Sequence, residues 1–99
     1  MRDQMKKYFP VSLCYQGLLG GGIRMEQEQV VYQTGKVSVP EIRKIVMRYE
    51  DIAALKVQRR LGIPLLSVEI KKGMTYTFLV FGHKRMLHEL SLHGLQPNG

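Results

Sequence analysis

At 99 residues the chain has room for one domain, and its core must be modest because a chain this short buries only about two-thirds of its unfolded surface. An apolar fraction of 44% with 23% charged residues is that of a globular protein and argues against a disordered chain, and no apolar run approaches the roughly 18 residues of a membrane-spanning helix. Fifteen basic residues against eight acidic ones give a formal charge of +7, which favours encounter with nucleic acid, an anionic membrane surface or an acidic protein.

Residues 1–10 are polar, end in Pro10 and read as a flexible lead-in. They carry charges but no following apolar segment of adequate length, so no secretory signal is expected. Cys14 is the single cysteine, which rules out an internal disulfide and makes a reducing cytoplasm the expected compartment. Residues 11–19 are strand-like, and Gly20-Gly21-Gly22 reads as the break after them. Strands are then expected over 22–27 and 29–35.

The middle of the chain supports two readings. Pro40 can open a helix, and Ile42, Ile45, Val46, Tyr49, Ile52 and Ala53 keep a helical rhythm up to Gly62 and Pro64. Alternatively, Ile45-Met47-Tyr49 and Ala53-Leu55-Val57 each form one face of a strand. Periodicity alone favours the helix. Further on, Leu66, Val68 and Ile70 alternate with Ser67, Glu69 and Lys71. With a turn at Lys72-Gly73 and a β-branched, aromatic run over 75–81, this predicts a hairpin. Met86, Leu87 and Leu90 fall at helical spacing from His83, and Gly94 and Pro97 provide the stop.

Four segments in this order resemble a bacterial GRAM domain, a branch of the pleckstrin-homology-like superfamily. Gly22-Ile23-Arg24-Met25-Glu26-Gln27-Glu28-Gln29-Val30-Val31-Tyr32 has the spacing of the family's first hairpin. Met47-Arg48-Tyr49-Glu50-Asp51-Ile52 is similar to its Ile-Pro-Leu-x-Asp-Ile element, and Leu61-Gly62-Ile63-Pro64 to a segment of bacterial members. Residues 73–82 look like its closing strand. The chain departs from the pattern at Glu26, Gln29 and Arg48, where the family has Thr, Arg and Pro. The resemblance implies a mainly β fold: a PH-like barrel of about seven antiparallel strands over residues 11–94, with one C-terminal helix and a tail at 95–99. It also implies two strands, 43–49 and 52–58, in place of the central helix. The expected core is then Ile23, Met25, Val30, Tyr32, Met47, Ile52, Leu55, Val68, Ile70, Phe78, Val80, Met86 and Leu90.

Candidate chemistry is sparse. His83, His88 and His93 recur every five residues, which turns successive side chains by ~140° and spreads the outer two about 15 Å along a helix. Three imidazoles so placed cannot share an ion, and no metal or other cofactor is expected. Gly20-Gly21-Gly22 lacks the Gly-Lys-Ser/Thr of a phosphate loop, and Thr34-Gly35-Lys36 lacks its upstream glycine. Glu50 and Asp51 are adjacent, so on a strand they face opposite ways and make a poor acid–base pair. The chain is expected not to be an enzyme.

Five dibasic pairs remain: Lys6-Lys7, Arg43-Lys44, Arg59-Arg60, Lys71-Lys72 and Lys84-Arg85. A solvated face guarded by lysines explains such pairs in many proteins. The family fold places Lys36, Lys71 and Lys72 on loops near the barrel's open end, which makes them the candidate anion-binding residues. The leading expectation is a binding or adaptor module that docks weakly on an anionic lipid surface or a partner protein, cytoplasmic and peripheral to a membrane. Self-association as a structural subunit is the alternative. Nucleic-acid binding by a basic barrel is a further one, disfavoured because there is no tryptophan and Tyr76 and Phe78 read as core.

Overall fold

Period-two alternation decides the architecture. In a computed structural model, which describes residues 7–15, 17–35 and 40–97, seven antiparallel strands form one curled half-barrel sheet. They are β1 (Lys7–Cys14), β2 (Leu18–Met25), β3 (Gln29–Gln33), β4 (Lys44–Arg48), β5 (Ile52–Arg60), β6 (Ile63–Ile70) and β7 (Thr75–Val80). Their spatial order is β4-β3-β2-β1-β7-β6-β5, so β4 and β5 are the edges. A short helical turn, α1 (Pro40–Arg43), precedes β4, and α2 (His83–Ser91) follows β7.

The strand reading of the middle is the one the fold adopts. A 3₁₀ turn at Tyr49–Asp51 separates β4 from β5, and no helix runs through 41–61. Pairing with β3 and β6 satisfies the backbone groups on the inner edge of each strand, and this tertiary gain outweighs a local helical rhythm. Pro40 does open a helix, but one of only four residues.

Two expectations at the N-terminal side need correction. Strand β1 begins at Lys7, so residues 7–10 belong to the sheet rather than to a lead-in. The expected strand over 11–19 is two strands joined by a turn around Tyr15 and Gly17, with the glycine run inside β2. Those glycines make room for side chains. A Cβ at Gly21 would collide with the Gln33 carbonyl and crowd the Tyr32 ring, and one at Gly22 would collide with the Tyr8 ring. Gly21 has the inward parity of Ile23 and Met25, and Gly22 the outward parity, so one glycine serves each face. Glu26 and Gln29, two of the departures from the family pattern, bond to each other across the β2–β3 turn at 2.8 Å.

Of the expected core, every residue is buried except Ile70, which is half-buried against it. The interior also takes Phe9, Val11 and Leu13 from β1, Ile45 from β4 and Leu66 from β6. Tyr32 is wholly buried, its hydroxyl donating to the Leu19 carbonyl at 2.9 Å and its ring tilted against Phe78 with centroids 5.4 Å apart. From α2, Met86 and Leu90 plug the open side of the sheet. Among the described residues the space left between them is about 10 Å³, no more than one water needs, so this interior holds no ligand pocket.

Two substitutions test this packing. Phe78→Ala should lower unfolding free energy by about 3–5 kcal/mol in chemical denaturation. Gly21→Ala should cost about 2–3 kcal/mol because its Cβ meets backbone, whereas Gly22→Ala should cost under about 1 kcal/mol because the half-exposed Tyr8 ring can swing away.

Candidate functional site

Surface chemistry falls into three regions. The first surrounds the expected anion site. Lys71 and Lys72 lie in the turn between β6 and β7, where the Lys71 N–H donates to the Asp51 carbonyl at 2.8 Å and Gly73 adopts a φ of +107°. They line a groove of about 190 Å³ with Val46, Met47, Asp51, Ile70, Met74 and Tyr76. The groove follows the outer edge of β4. There Arg43 accepts from Thr34 and Tyr49 donates to Glu28, so odd-numbered positions of β4 bond to β3. The backbone groups of Lys44, Val46 and Arg48 therefore point away from the sheet. Lys36, the third expected residue, lies outside the described residues.

The second region is a polar cluster where the chain passes from β4 to β5. Arg24 donates to Glu26 at 2.6 Å, and Arg48 contacts Glu50 at 2.9 Å and Glu28 at 3.7 Å. Hydrogen bonds from Gln29 and Arg24 hold the Glu26 carboxyl below its usual range. Such a carboxylate stays ionised near neutrality and has little use as a general acid. Tyr49 donates to the Glu26 carbonyl at 2.7 Å, and the His93 ring stacks on it at 4.0 Å. Burial pushes the Tyr49 phenol up to about 12, with Glu26 and Glu89 acting in the same direction. His93 is exposed but sits beyond the end of α2, where its ring stacks on Tyr49 of the turn between β4 and β5.

Sequence reasoning missed the third region, a patch on the outer face of the sheet at the β5–β6 end. Cys14, Leu18, Leu61, Ile63, Leu65 and Leu79 surround a shallow hollow of about 280 Å³, with Arg60 as the one charged lining residue among those described. Leu18 is 64% exposed, Ile63 45% and Leu61 96%. Continuing the β6–β7 register by two residues places Phe81, also exposed, beside Ile63. Arg59 donates weakly to the Gly62 carbonyl at 3.4 Å. Ion pairs among the described residues engage Arg24, Arg48 and Lys56, so Arg59 and Arg60 face no carboxylate there. The signal was present as Arg59-Arg60-Leu61-Gly62-Ile63, a basic pair followed by apolar residues at a turn. It was absorbed into a family motif.

No family model and no curated protein matches the chain. Its fold is similar to the crystal structure of the C-terminal domain of an unknown protein from Leishmania infantum, with a TM-score of 0.71 over 85% of this chain and 77% of that one. The two share 10% identity, so the likeness concerns the fold alone.

The Tyr49 contacts carry a pH signature. Because folding raises the phenol above its ordinary value near 10, the stability it contributes is complete below pH ~10 and is lost as pH rises toward 12. Tyr49→Phe should cost about 1 kcal/mol at neutral pH through the lost hydrogen bond. It should also flatten the alkaline limb between pH 10 and 12, as read by denaturation at stepped pH.

Proposed function

We propose that this chain is a non-catalytic, GRAM-like docking module that attaches weakly to anionic membrane surfaces. The observation that carries the reading is the patch at the β5–β6 end, where Arg60, which pairs with no carboxylate among the described residues, stands beside exposed apolar side chains and Arg59 lies next to it in the chain. A shallow apolar surface with an arginine at its rim fits the boundary between anionic headgroups and acyl chains. The groove at Lys71 and Lys72 is a weaker candidate for anions because Asp51 lines it too. Eight residues of β6 separate the two ends, about 26 Å at strand rise, so they are two distinct surfaces.

Magnitudes fit a reversible attachment. Two arginines near an anionic surface contribute about 1 kcal/mol each, and one buried leucine roughly 1.5–3. The sum of about 3.5–5 kcal/mol corresponds to dissociation in the high-micromolar to millimolar range, so one module grips weakly by itself.

A second reading, strand addition by a partner protein, draws support from the outward backbone groups of Lys44, Val46 and Arg48 beside the groove. Lys44 and Arg48 on that edge also discourage such pairing, which leaves this reading behind the first. Nucleic-acid binding gains nothing from β7, because Phe78 is buried and offers no stacking face.

Co-sedimentation with vesicles of graded phosphatidylserine content tests the proposal. Binding should rise with anionic fraction and fall as salt shortens the Debye length from about 10 Å at 0.1 M to about 3 Å at 1 M. Arg59→Glu with Arg60→Glu should weaken it at least tenfold, since two contributions of about 1 kcal/mol become repulsive. Lys71→Glu with Lys72→Glu changes net charge equally and should weaken it much less. Binding that ignored salt and both double changes would overturn the reading.

A further inference from the structure

We propose that Leu61 is a membrane anchor: the tip of the β5–β6 hairpin enters the acyl boundary of an anionic bilayer while Arg59 and Arg60 stay at headgroup level. The proposal rests on the membrane-docking reading above and adds to it an apolar insertion at one residue.

The argument begins with the backbone. Arg60 pairs with Ile63, so Leu61 and Gly62 form a two-residue turn, with φ of 54° and 81°. Positive φ at both central residues marks the type I′ turn, for which Asn-Gly is strongly preferred. Among the described residues every other positive φ belongs to a glycine: Gly17, Gly62, Gly73, Gly82 and Gly94. Leucine is thus disfavoured at position 61 by its own backbone. It is disfavoured a second time by water, because 96% of it is exposed. Neither cost is recovered inside the fold, since Leu61 is absent from the core and from the side chains packed on it.

What recovers the cost lies outside the chain, and charge selects it. The hollow beside Leu61 has apolar walls at Leu18, Ile63 and Leu79, with Arg60 at its rim and no carboxylate among its lining residues. A second copy presenting the same face would set Arg59 and Arg60 against their own duplicates. An anionic bilayer instead supplies the missing counter-charge, and in the matching order of depth. The leucine leads at the turn, and the arginines sit one and two residues behind it, where their long stems can reach phosphate.

Replacement by the turn's preferred residue separates the two roles of this position. Leu61→Asn keeps the type I′ backbone and removes the anchor. It should raise the melting temperature while weakening binding to phosphatidylserine vesicles by about tenfold or more, the fold-change that a buried leucine represents. A merely structural leucine would not give opposite signs. Leu61→Trp adds an independent readout, because the chain has no tryptophan of its own. Its emission should shift to the blue on adding anionic vesicles, and lipids brominated on their acyl chains should quench it.

If Leu61→Asn binds as well as the wild type and the Leu61→Trp emission stays unshifted, the anchor is refuted. In that case loss of binding in the Arg59→Glu, Arg60→Glu variant would leave electrostatic docking standing. If the wild-type chain binds no vesicle of any composition, the docking reading fails and the anchor fails with it. Capture of an acidic protein that depends on Leu61, without vesicle binding, would likewise overturn the lipid assignment.

Discussion

The pairing of β1 with β7 is the joint on which the rest of the molecule depends. Each side of it is a simple meander, β1-β2-β3-β4 on one flank and β5-β6-β7 on the other. Among the described residues three pairs, Val11 with Val80, Ser12 with Leu79 and Leu13 with Phe78, make them one sheet. Val11, Leu13, Phe78 and Val80 are all buried, so the joint is also the floor of the core. Its short length explains a proline in a central strand. Pro10 lies one step beyond the paired stretch, and its carbonyl accepts from Phe81. The missing N–H would have pointed to the same side, toward Phe81 just past the end of β7, so the β1–β2 ladder loses no bond and the β1–β7 pairing stops there.

Curling about that joint leaves β4 and β5 as facing edges, and the C-terminal segment takes up the space between. Met86 and Leu90 fill the interior, and Leu95 packs against it. Pro97 bridges Leu55 on the outer side of β5. His93 stacks on Tyr49 at the turn between the two edge strands. One edge is thereby covered in part by the chain's own tail, while β4 keeps outward backbone groups. The asymmetry makes β4 the place to expect any added strand.

Much of this was legible because strand parity is a local property. The inward positions of β2, β3, β6 and β7 follow from alternation alone, and so does the face of α2. Where the sequence misled, the deciding fact was a contact distant in the chain. Gly20-Gly21-Gly22 has the composition of a loop, and the contacts that require two of those glycines within a strand, the Gln33 carbonyl and Tyr32 ring at Gly21 and the Tyr8 ring at Gly22, come from elsewhere in the chain. Phe9, Val11 and Leu13 do alternate, but Pro10 between them disguised a strand whose proline is tolerated only because β7 ends nearby. Residues 41–61 carried a helical rhythm that partners on β3 and β6 overrode. Of the candidate anion site, Lys71 and Lys72 were located by their turn, but the Asp51 carboxylate beside them becomes visible only when β5 packs against β6.

The surface most suited to binding was illegible for a related reason. In a one-dimensional reading, Leu18, Leu61 and Leu79 are far apart, and each passes for a stray exposed apolar residue that needs no explanation. The sheet gathers them around one hollow. A hairpin tip beyond the core is also where a chain can change residues with least effect on folding, because no buried contact constrains it. A leucine there, in a backbone conformation that costs most residues about 1–2 kcal/mol, does not arise from packing. Local stability and local composition disagree at this one turn. A gain made only against a second surface is the simplest physical account of that disagreement.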